Sequence, residues 1–247
     1  YWTGVKAGAL QEGIARSRAL LQNAVRLEVV AGRTADEAVA LVRLTNLTGH
    51  KLPTGFPEGR RIWISIVGKD ADGRTTFVSG SYDEPTGRIR EDPQLKVYEA
   101  RPATSPHLAS ALGLPSGHSF LSAFNDTILF DNRIPPRGYR TDAFRSRKAE
   151  PVGYHYDDDQ YWDETRYVMP LSTRTVEVRV LYQQVSGEFI EFLRDENQNN
   201  PYDWNQWGEK VYTTWQRYGG PVLMAQQTVL VSTRSPQLPP FSDFDAP

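Results

Sequence analysis

The chain has 247 residues, enough for one large domain with a substantial core, and its 28 basic and 30 acidic side chains give a net charge of −2. This near-neutral charge, without a basic stripe interleaved with aromatic residues, argues against a nucleic-acid partner. No apolar run reaches the ~20 residues that a membrane-spanning helix needs. The sequence contains no cysteine, which excludes disulfides, cysteine-ligated zinc, Fe–S clusters, cysteine nucleophiles and covalent attachment of a c-type haem to this chain.

The first predicted element is an N-terminal amphipathic helix within residues 1–24, beginning at about residue 5. Its apolar positions recur at three-, four- and seven-residue steps, which is the spacing of one helix face. The residues that carry this spacing are Ala7, Leu10, Ile14, Leu21 and Ala24.

The region from residue 25 to residue 234 changes to β-branched and alternating runs, which predict strands. Turns rich in Gly and Pro separate these runs, and Asp70-Ala-Asp-Gly73 predicts a hairpin. Such spacing favours an antiparallel sandwich over βαβ units. The predicted strands cover residues 25–29, 38–44, 61–67, 75–79, 95–99, 120–130, 174–182 and 227–232.

A helical insertion at about 186–219 is predicted before the last strand. One helix covers 189–194, and the second begins near Asp203 and ends at Gly219-Gly220, which can cap its C-terminus. The Pro-rich tail, 235–247, is predicted to be extended and lightly held. The predicted fold class is therefore mainly β: an antiparallel Ig-like or cupredoxin-like sandwich with an N-terminal helix and this insertion.

The most informative stretch is the loop over residues 45–57, Thr-Asn-Leu-Thr-Gly-His-Lys-Leu-Pro-Thr-Gly-Phe-Pro. It places His50, one of four histidines, among glycines and prolines that fix backbone geometry. Two interpretations stay open. The loop is a rigid turn in which His50 bonds only to backbone, or it holds an imidazole at a fixed angle as a ligand for a metal, including a haem iron.

Other histidines and a carboxylate run are weaker signals. His118 lies just before the predicted strand 120–130, and His107 follows a proline; each alone is typical of a polar surface or a strand end. His155 precedes Asp157, Asp158 and Asp159. Such a run is either a solvated charge cluster or a source of oxygen ligands for Ca²⁺, although it lacks the spacing of an EF-hand.

The acids near a second stiff turn have a structural and a catalytic interpretation. Asp131-Asn132-Arg133 before Ile-Pro-Pro-Arg-Gly favours a buried Arg–carboxylate pair that locks the loop. A hydrolase using the acids near Asp126 and Asp157 is the alternative, since glycoside hydrolysis needs two carboxylates. No nucleophile-elbow, phosphate-loop, dinucleotide-binding or His-Glu-x-x-His motif is present.

Aromatic residues form two clusters along the chain. They are explained either by core and helix packing or by a carbohydrate platform or a protein interface, since Tyr and Trp serve all of these. The clusters are Tyr154, Tyr156, Tyr161 and Trp162, and Tyr202, Trp204, Trp207, Tyr212, Trp215 and Tyr218.

Several blocks, in order, resemble the C-terminal β domain of periplasmic and outer-surface multihaem cytochromes c. The first is Asn-Leu-Thr-Gly-His-Lys-Leu-Pro-Thr-Gly-Phe-Pro at 46–57, followed by Arg-Ile-Trp-Ile-Ser-Ile at 61–66. Because the blocks are independent and keep one order, the resemblance is specific. The further blocks are 70–74, 79–83, 92–100, 131–138, 160–167, 181–184 and 188–197.

The resemblance implies a function that this chain performs with a partner. In that family the β domain follows a segment with several Cys-x-x-Cys-His haem sites, and this chain has none. Either the haem segment is a separate polypeptide, or it was lost or cleaved, or this chain is a haem-free relative. In the first case the resemblance implies haem c carried by a multihaem cytochrome partner chain. It makes His50 a candidate axial ligand supplied in trans, and His118 a second candidate.

The implied role is that of a non-catalytic accessory subunit or domain of an electron-transfer assembly, in a hetero-complex or a filament. The implied location is the periplasm or the cell surface of a bacterium. A carbohydrate- or surface-binding β-sandwich module, using the aromatic clusters, is the alternative function.

Overall fold

The computed structural model describes residues 4, 6–198 and 206–242. Strands dominate, and all pairings between them are antiparallel. In chain order the elements are α1 (Ala7–Gln22), β1 (Val25–Arg33), β2 (Ala38–Asn46), β3 (Arg61–Lys69), β4 (Thr75–Ser79), β5 (Tyr82–Asp83), β6 (Arg88–Ile89), β7 (Lys96–Tyr98), β8 (Ala100–Thr104), α2 (Pro106–Leu112), β9 (Gly117–His118), β10 (Thr127–Asp131), α3 (Thr141–Arg145), β11 (Trp162–Met169), β12 (Thr175–Gln183), α4 (Gly187–Glu196), α5 (Trp207–Tyr218) and β13 (Val222–Leu230).

Two sheets form the sandwich. The first has the strand order β1-β2-β11, and the second has the order β13-β12-β3-β4, with β7 also paired to β3. In the second sheet Val180 lies opposite Ile64 and Val178 opposite Ile66, and all four side chains are fully buried. Their alternation with exposed or half-buried neighbours places one apolar face of the sheet on the core.

The first sheet supplies the facing half of the core. Val42 and Leu44 of β2 are fully buried and pair with Val29 and Leu27 of β1. These side chains belong to the same apolar cluster as the inward residues of β3 and β12. The predicted mainly β, antiparallel fold with an N-terminal helix is confirmed.

Smaller elements attach to this core. Strands β10, β8 and β9 form a three-stranded sheet, and β5 and β6 form a two-stranded one. Helices α4 and α5 lie in the chain between β12 and β13, where the helical insertion is predicted. No helix in the described ranges is long and apolar enough to cross a membrane.

Some predicted boundaries are wrong for identifiable reasons. The predicted strand 120–130 is instead a 3₁₀ turn at Ser122–Phe124 followed by β10. Asn125 donates to the carbonyl of Ser119 at 2.9 Å, and such local side-chain bonds compete with strand pairing. Strand β11 was not predicted, because its buried Asp163 interrupts the apolar alternation.

The two helices of the insertion lie where they are predicted, with small differences at their ends. Helix α4 covers the predicted 189–194 and extends beyond it on both sides. Helix α5 ends at Tyr218, where the N–H of Gly219 bonds to the carbonyl of Trp215 at 2.6 Å. The predicted start near Asp203 lies outside the described residues. Strand β13 begins at Val222, five residues earlier than predicted.

The tail contains no helix or strand over residues 235–242, and firm contacts hold it against the first sheet. Arg43 of β2 donates to the carbonyl of Pro239 at 2.9 Å, and the ring of Phe241 stacks on Trp162 with centroids 3.6 Å apart. These contacts cover Arg43, which is only 4% exposed. The expectation that the tail is lightly held is therefore wrong for its described part.

Candidate functional site

Asn46, the last residue of β2, fixes the histidine loop, defined here as residues 47–57. Its side-chain amide donates to the carbonyls of His50 at 2.7 Å, Ile134 at 3.0 Å and Pro135 at 2.9 Å. Its Oδ1 accepts from the N–H and hydroxyl of Thr48, both at 2.8 Å. Asn46 is 1% exposed, so its side chain is shielded from water. Three of the five bonds fix the loop internally, and two join it to residues 134–135.

An ion-pair cluster fixes the next residue of the same loop. Lys51 Nζ lies 2.5 Å from Asp131 Oδ2 and 2.8 Å from the carbonyl oxygen of Ala149. Arg133 binds Asp131 through two parallel hydrogen bonds, at 2.9 and 2.7 Å. The predicted Arg–carboxylate pair is thereby confirmed, and Lys51 joins it.

The charges in this cluster stabilise one another. Burial alone raises the pKa of Asp131, but the hydrogen bonds and charges of Arg133 and Lys51 outweigh it and hold this pKa below its ordinary value. Burial lowers the pKa of Lys51, with Asp131 opposing the shift. Backbone bonds between Leu52 and Ile134, at 2.8 and 3.0 Å, join the same two loops directly.

His50 lies on the surface of this fixed loop. Its carbonyl accepts from Asn46 and from the Thr48 hydroxyl, while its side chain is exposed. Across the described chain, the imidazole of His50 makes no hydrogen bond, ion pair or ring contact. The backbone of His50 is thus held rigidly, and both ring nitrogens stay available.

The C-terminal end of the histidine loop joins an aromatic cluster. Phe56 is 49% exposed and packs on Phe189 of α4 at 6.1 Å between centroids. Phe120 lies 5.3 Å from Phe189 and 5.6 Å from Phe192. His118 meets the ring of Phe120 edge-on at 5.0 Å, which brings the second candidate histidine to this cluster.

His118 lines a cavity of about 350 Å³ between β8, β9 and α4. Burial, followed by the charge of Arg101, lowers the pKa of His118, so the neutral imidazole is favoured. The lining combines arginines with glutamates, so the cavity holds no single sign of charge. His50 is not among the lining residues: Pro57, Gly59, Arg60, Arg61, Glu99, Ala100, Arg101, His118, Phe120, Ser186 and Glu188.

The carboxylates of the run 157–159 are bound by neighbouring groups, and Arg140 pairs with both Asp158 and Asp159. Asp157 lies 3.0 Å from His155, whereas Asp158 accepts the N–H of Thr141 at 2.8 Å and Asp159 lies 3.2 Å from Arg140. In the described ranges, no group of three or more His, Cys, Asp or Glu side chains could hold a metal ion.

The acids of the hydrolase alternative occupy separate surroundings. Asp126 accepts the N–H and the hydroxyl of Ser105, each at 2.7 Å, and thereby supports the N-cap of α2. Asp126 lines a groove beside β10 that Asp157 does not line. Asp126 and Asp157 therefore do not form a carboxylate pair in one groove, as glycoside hydrolysis would need.

The first aromatic cluster is engaged inside the molecule. Tyr156 is 1% exposed and donates to the carbonyl of Asn132 at 2.8 Å, and Tyr154 donates to Asp163 at 2.7 Å. Trp162 is covered by Phe241. A flat carbohydrate platform is therefore not formed there.

The second aromatic cluster is only partly described. On α5, Trp207 and Tyr218 are exposed, while Trp215 donates to the carbonyl of Val185 at 3.0 Å. Tyr202 and Trp204 lie outside the described residues.

Sequence reasoning missed a buried polar network that joins several of the blocks. Asp163 accepts from Tyr98 at 2.8 Å and lies 2.9 Å from Lys96. Burial, followed by the charge of Asp163, raises the pKa of Tyr98 well above its ordinary value. Asn132 connects this network to β7 by donating to the carbonyl of Val97 at 2.7 Å. A polar residue inside a strand pattern, such as Asp163, is the signal that could have indicated it.

Comparisons with known proteins add a likeness of fold. No protein-family model matches the sequence, and no curated protein matches it. A solved structure, a penta-haem cytochrome c552 from Thermochromatium tepidum, matches with a TM-score of 0.53 and 17% sequence identity. The match covers 87% of this chain and 41% of that chain. The two proteins share a fold.

This chain spans less than half the length of the penta-haem protein that it matches. At this level of identity the likeness concerns the fold alone. It is nevertheless consistent with the relationship to multihaem cytochromes that the sequence blocks imply.

Proposed function

We propose that this chain is a non-catalytic β-sandwich subunit or domain that docks on a multihaem c-type cytochrome and supplies His50 as an axial ligand to one of its haems. The proposal rests on the contrast between the fixed backbone of His50 and its unbound side chain. Its backbone is locked by Asn46, and its neighbour Lys51 is locked by Asp131, while its own imidazole has no partner among the described residues. A ligand held in this way loses little freedom on binding.

The residues present fit a haem held by another chain. Without cysteine this chain cannot attach haem covalently, so it can contribute a histidine nitrogen and a covering surface. When bound, the haem supplies the electron-carrying iron. The part of this chain is to orient the imidazole and to exclude water from the haem edge, both of which tune the potential.

The cluster of Phe56, Phe120 and Phe189 supports a second point of contact with the cytochrome. Phe56 belongs to the same loop as His50 and is half exposed beside Phe120 and Phe189. Exposed aromatic side chains backed by a packed cluster are typical of protein interfaces. We assign His118 a place in this contact surface and not the primary ligand role, because its ring already packs on Phe120.

The proposed setting is a hetero-complex or a filament in the periplasm or on the surface of a bacterial cell. The fold shared with a penta-haem cytochrome and the order of the sequence blocks support it.

His50→Ala tests the ligand role in the assembled complex with its cytochrome. We expect one haem to lose its low-spin optical signature and to change its midpoint potential, because its iron loses an imidazole ligand. His107→Ala, at an exposed histidine of α2, is the matched control and should leave spectrum and potential unchanged.

An unchanged spectrum and potential in the His50→Ala complex would overturn the ligand role. The docking role has a separate test, which is mass spectrometry of the assembly purified from its native source. Absence of a co-purifying chain with Cys-x-x-Cys-His sites would overturn docking.

A further inference from the structure

A groove of about 570 Å³ lies beside β10, between the histidine loop and residues 148–152. It is distinct from the exposed His50 surface. Apolar side chains form part of its wall, among them Pro57, Pro102, Ile128 and Val152.

Three residues that line this groove each carry a buried oxygen that accepts no hydrogen bond from any described residue. These oxygens are Glu58 Oε2, Glu150 Oε2 and Asn125 Oδ1. Glu58 is only 5% exposed, so water satisfies it poorly. The orientation of Asn125 is fixed, because its amide nitrogen donates to the carbonyl of Ser119 at 2.9 Å. A buried acceptor without a donor is costly, and three in one groove point to a missing donor.

The cations on the same wall do not fill this need. Lys51 and Arg133 are both bound to Asp131. Lys148 is exposed, and in the described part of the chain it forms no ion pair. Among the described residues no cation is hydrogen-bonded to Glu58 or Glu150, although the charge of Lys51 acts on Glu150. Four carboxylates and three cations line the groove, which leaves an excess of one negative charge.

The geometry points to a binding slot for an alkylguanidinium or alkylammonium group, such as the end of an arginine or lysine side chain. These groups carry five or three N–H donors and no acceptor, which complements the three oxygens. The apolar wall suits the methylene stem of such a side chain. A metal ion fits less well, because no cluster of three or more potential ligands exists in the described residues.

The test is an NMR titration of the full chain, labelled with ¹⁵N, with Nα-acetyl-L-arginine amide. We expect saturable shifts at the amides of Glu58, Asn125 and Glu150. Nα-acetyl-L-citrulline amide, which has nearly the same shape but no charge, should produce no saturable shifts. Glu58→Gln should weaken arginine binding at least about tenfold, because a charge-assisted bond is lost.

Glu91→Gln, at an exposed glutamate away from the groove, is the matched control and should bind as the native chain does. Should Glu58→Gln fail to fold, Glu150→Gln carries the test. Equal binding of the citrulline compound, absence of saturable shifts, or native affinity in the folded glutamine variants would overturn the slot. The same shifts produced by calcium chloride at lower concentration would overturn its assignment to an organic cation.

A second titration, with spermidine, distinguishes the source of the cation. Tighter binding of the arginine compound supports a side chain of a docked polypeptide, and tighter binding of spermidine supports a free polyamine. Either result supports the slot. The titration needs no haem, so its failure and the failure of the proposed function are independent.

Discussion

At the scale of single residues, Asp131 is the centre of the ion cluster beside the histidine loop. It is 2% exposed, and it accepts hydrogen bonds from Lys51 and from two nitrogens of Arg133. Removing one member of a buried ion cluster leaves the other charges uncompensated, which costs more than the intact cluster contributes. The rigidity of the histidine loop thus depends on a carboxylate 80 positions away in sequence.

We predict that Asp131→Asn lowers the free energy of unfolding by about 3–5 kcal/mol, because Lys51 and Arg133 lose their counter-charge. Denaturant titration measures this change. Asp72→Asn, in the exposed pair with Arg74, is the control and should cost less than about 1 kcal/mol. Equal effects of the two variants would contradict the role of Asp131.

Asp131 also makes the stability of the fold depend on pH in the acid range. The pKa of Asp131 is lower in the folded state than its ordinary value of 3.8. The stability that ionised Asp131 contributes is therefore complete above pH 3.8. It is lost as the pH falls through the lower pKa of the folded state. The free energy of unfolding, measured between about pH 2 and pH 7, should therefore change less with pH in Asp131→Asn than in the native chain.

At the scale of elements, helix α1 differs from α4. Helix α1 buries no residue, and its N-cap, Lys6, makes no side-chain capping bond. Helix α4 buries Gly187 and Ile190 and is capped by Ser186, whose hydroxyl accepts from the N–H of Phe189. Short helices depend on packing for stability, so α1 should open far more easily than α4.

Hydrogen exchange measured by mass spectrometry tests this difference in the isolated chain. We predict that amides of α1 exchange at least roughly 100-fold faster than those of β2 and β12, with α4 in between. Protection of α1 equal to that of α4 would contradict the prediction.

At the scale of the whole molecule, the tail completes the outer face of the first sheet. Phe241 stacks on Trp162, meets Tyr161 edge-on at 5.2 Å, and lies 5.6 Å from the guanidinium carbon of Arg43. These partners come from β2 and from the start of β11, so one tail residue ties together distant parts of the chain. An aromatic stack with a cation over the ring adds to simple area burial.

Phe241→Ala should lower the free energy of unfolding by about 1–2 kcal/mol, and it should change the fluorescence of Trp162. Phe124→Ala, at an exposed phenylalanine of the 3₁₀ turn, is the control. We expect a smaller loss there, because none of the ring contacts found in the described residues involves Phe124. Similar losses in both variants would show that the tail does not contribute to stability.

Local pattern alone determined much of the fold. Alternating residues such as Ile64, Ile66, Val178 and Val180 predicted the central strands, because a half-buried strand must alternate. The spacing of charge and proline after Asp131 predicted its pair with Arg133, two residues away. The cysteine count excluded covalent haem, and the Gly-His-Lys loop made His50 a candidate ligand.

Only the tertiary structure decided which distant residues meet. Asn46 reaches the carbonyl of Ile134 across 88 positions, and Glu58, Asn125 and Glu150 converge on one groove. Asp163 lies in β11, a strand that the sequence pattern does not predict, and it is the acceptor of a buried network. Such contacts depend on strand register and on the packing of whole sheets, which local periodicity does not encode.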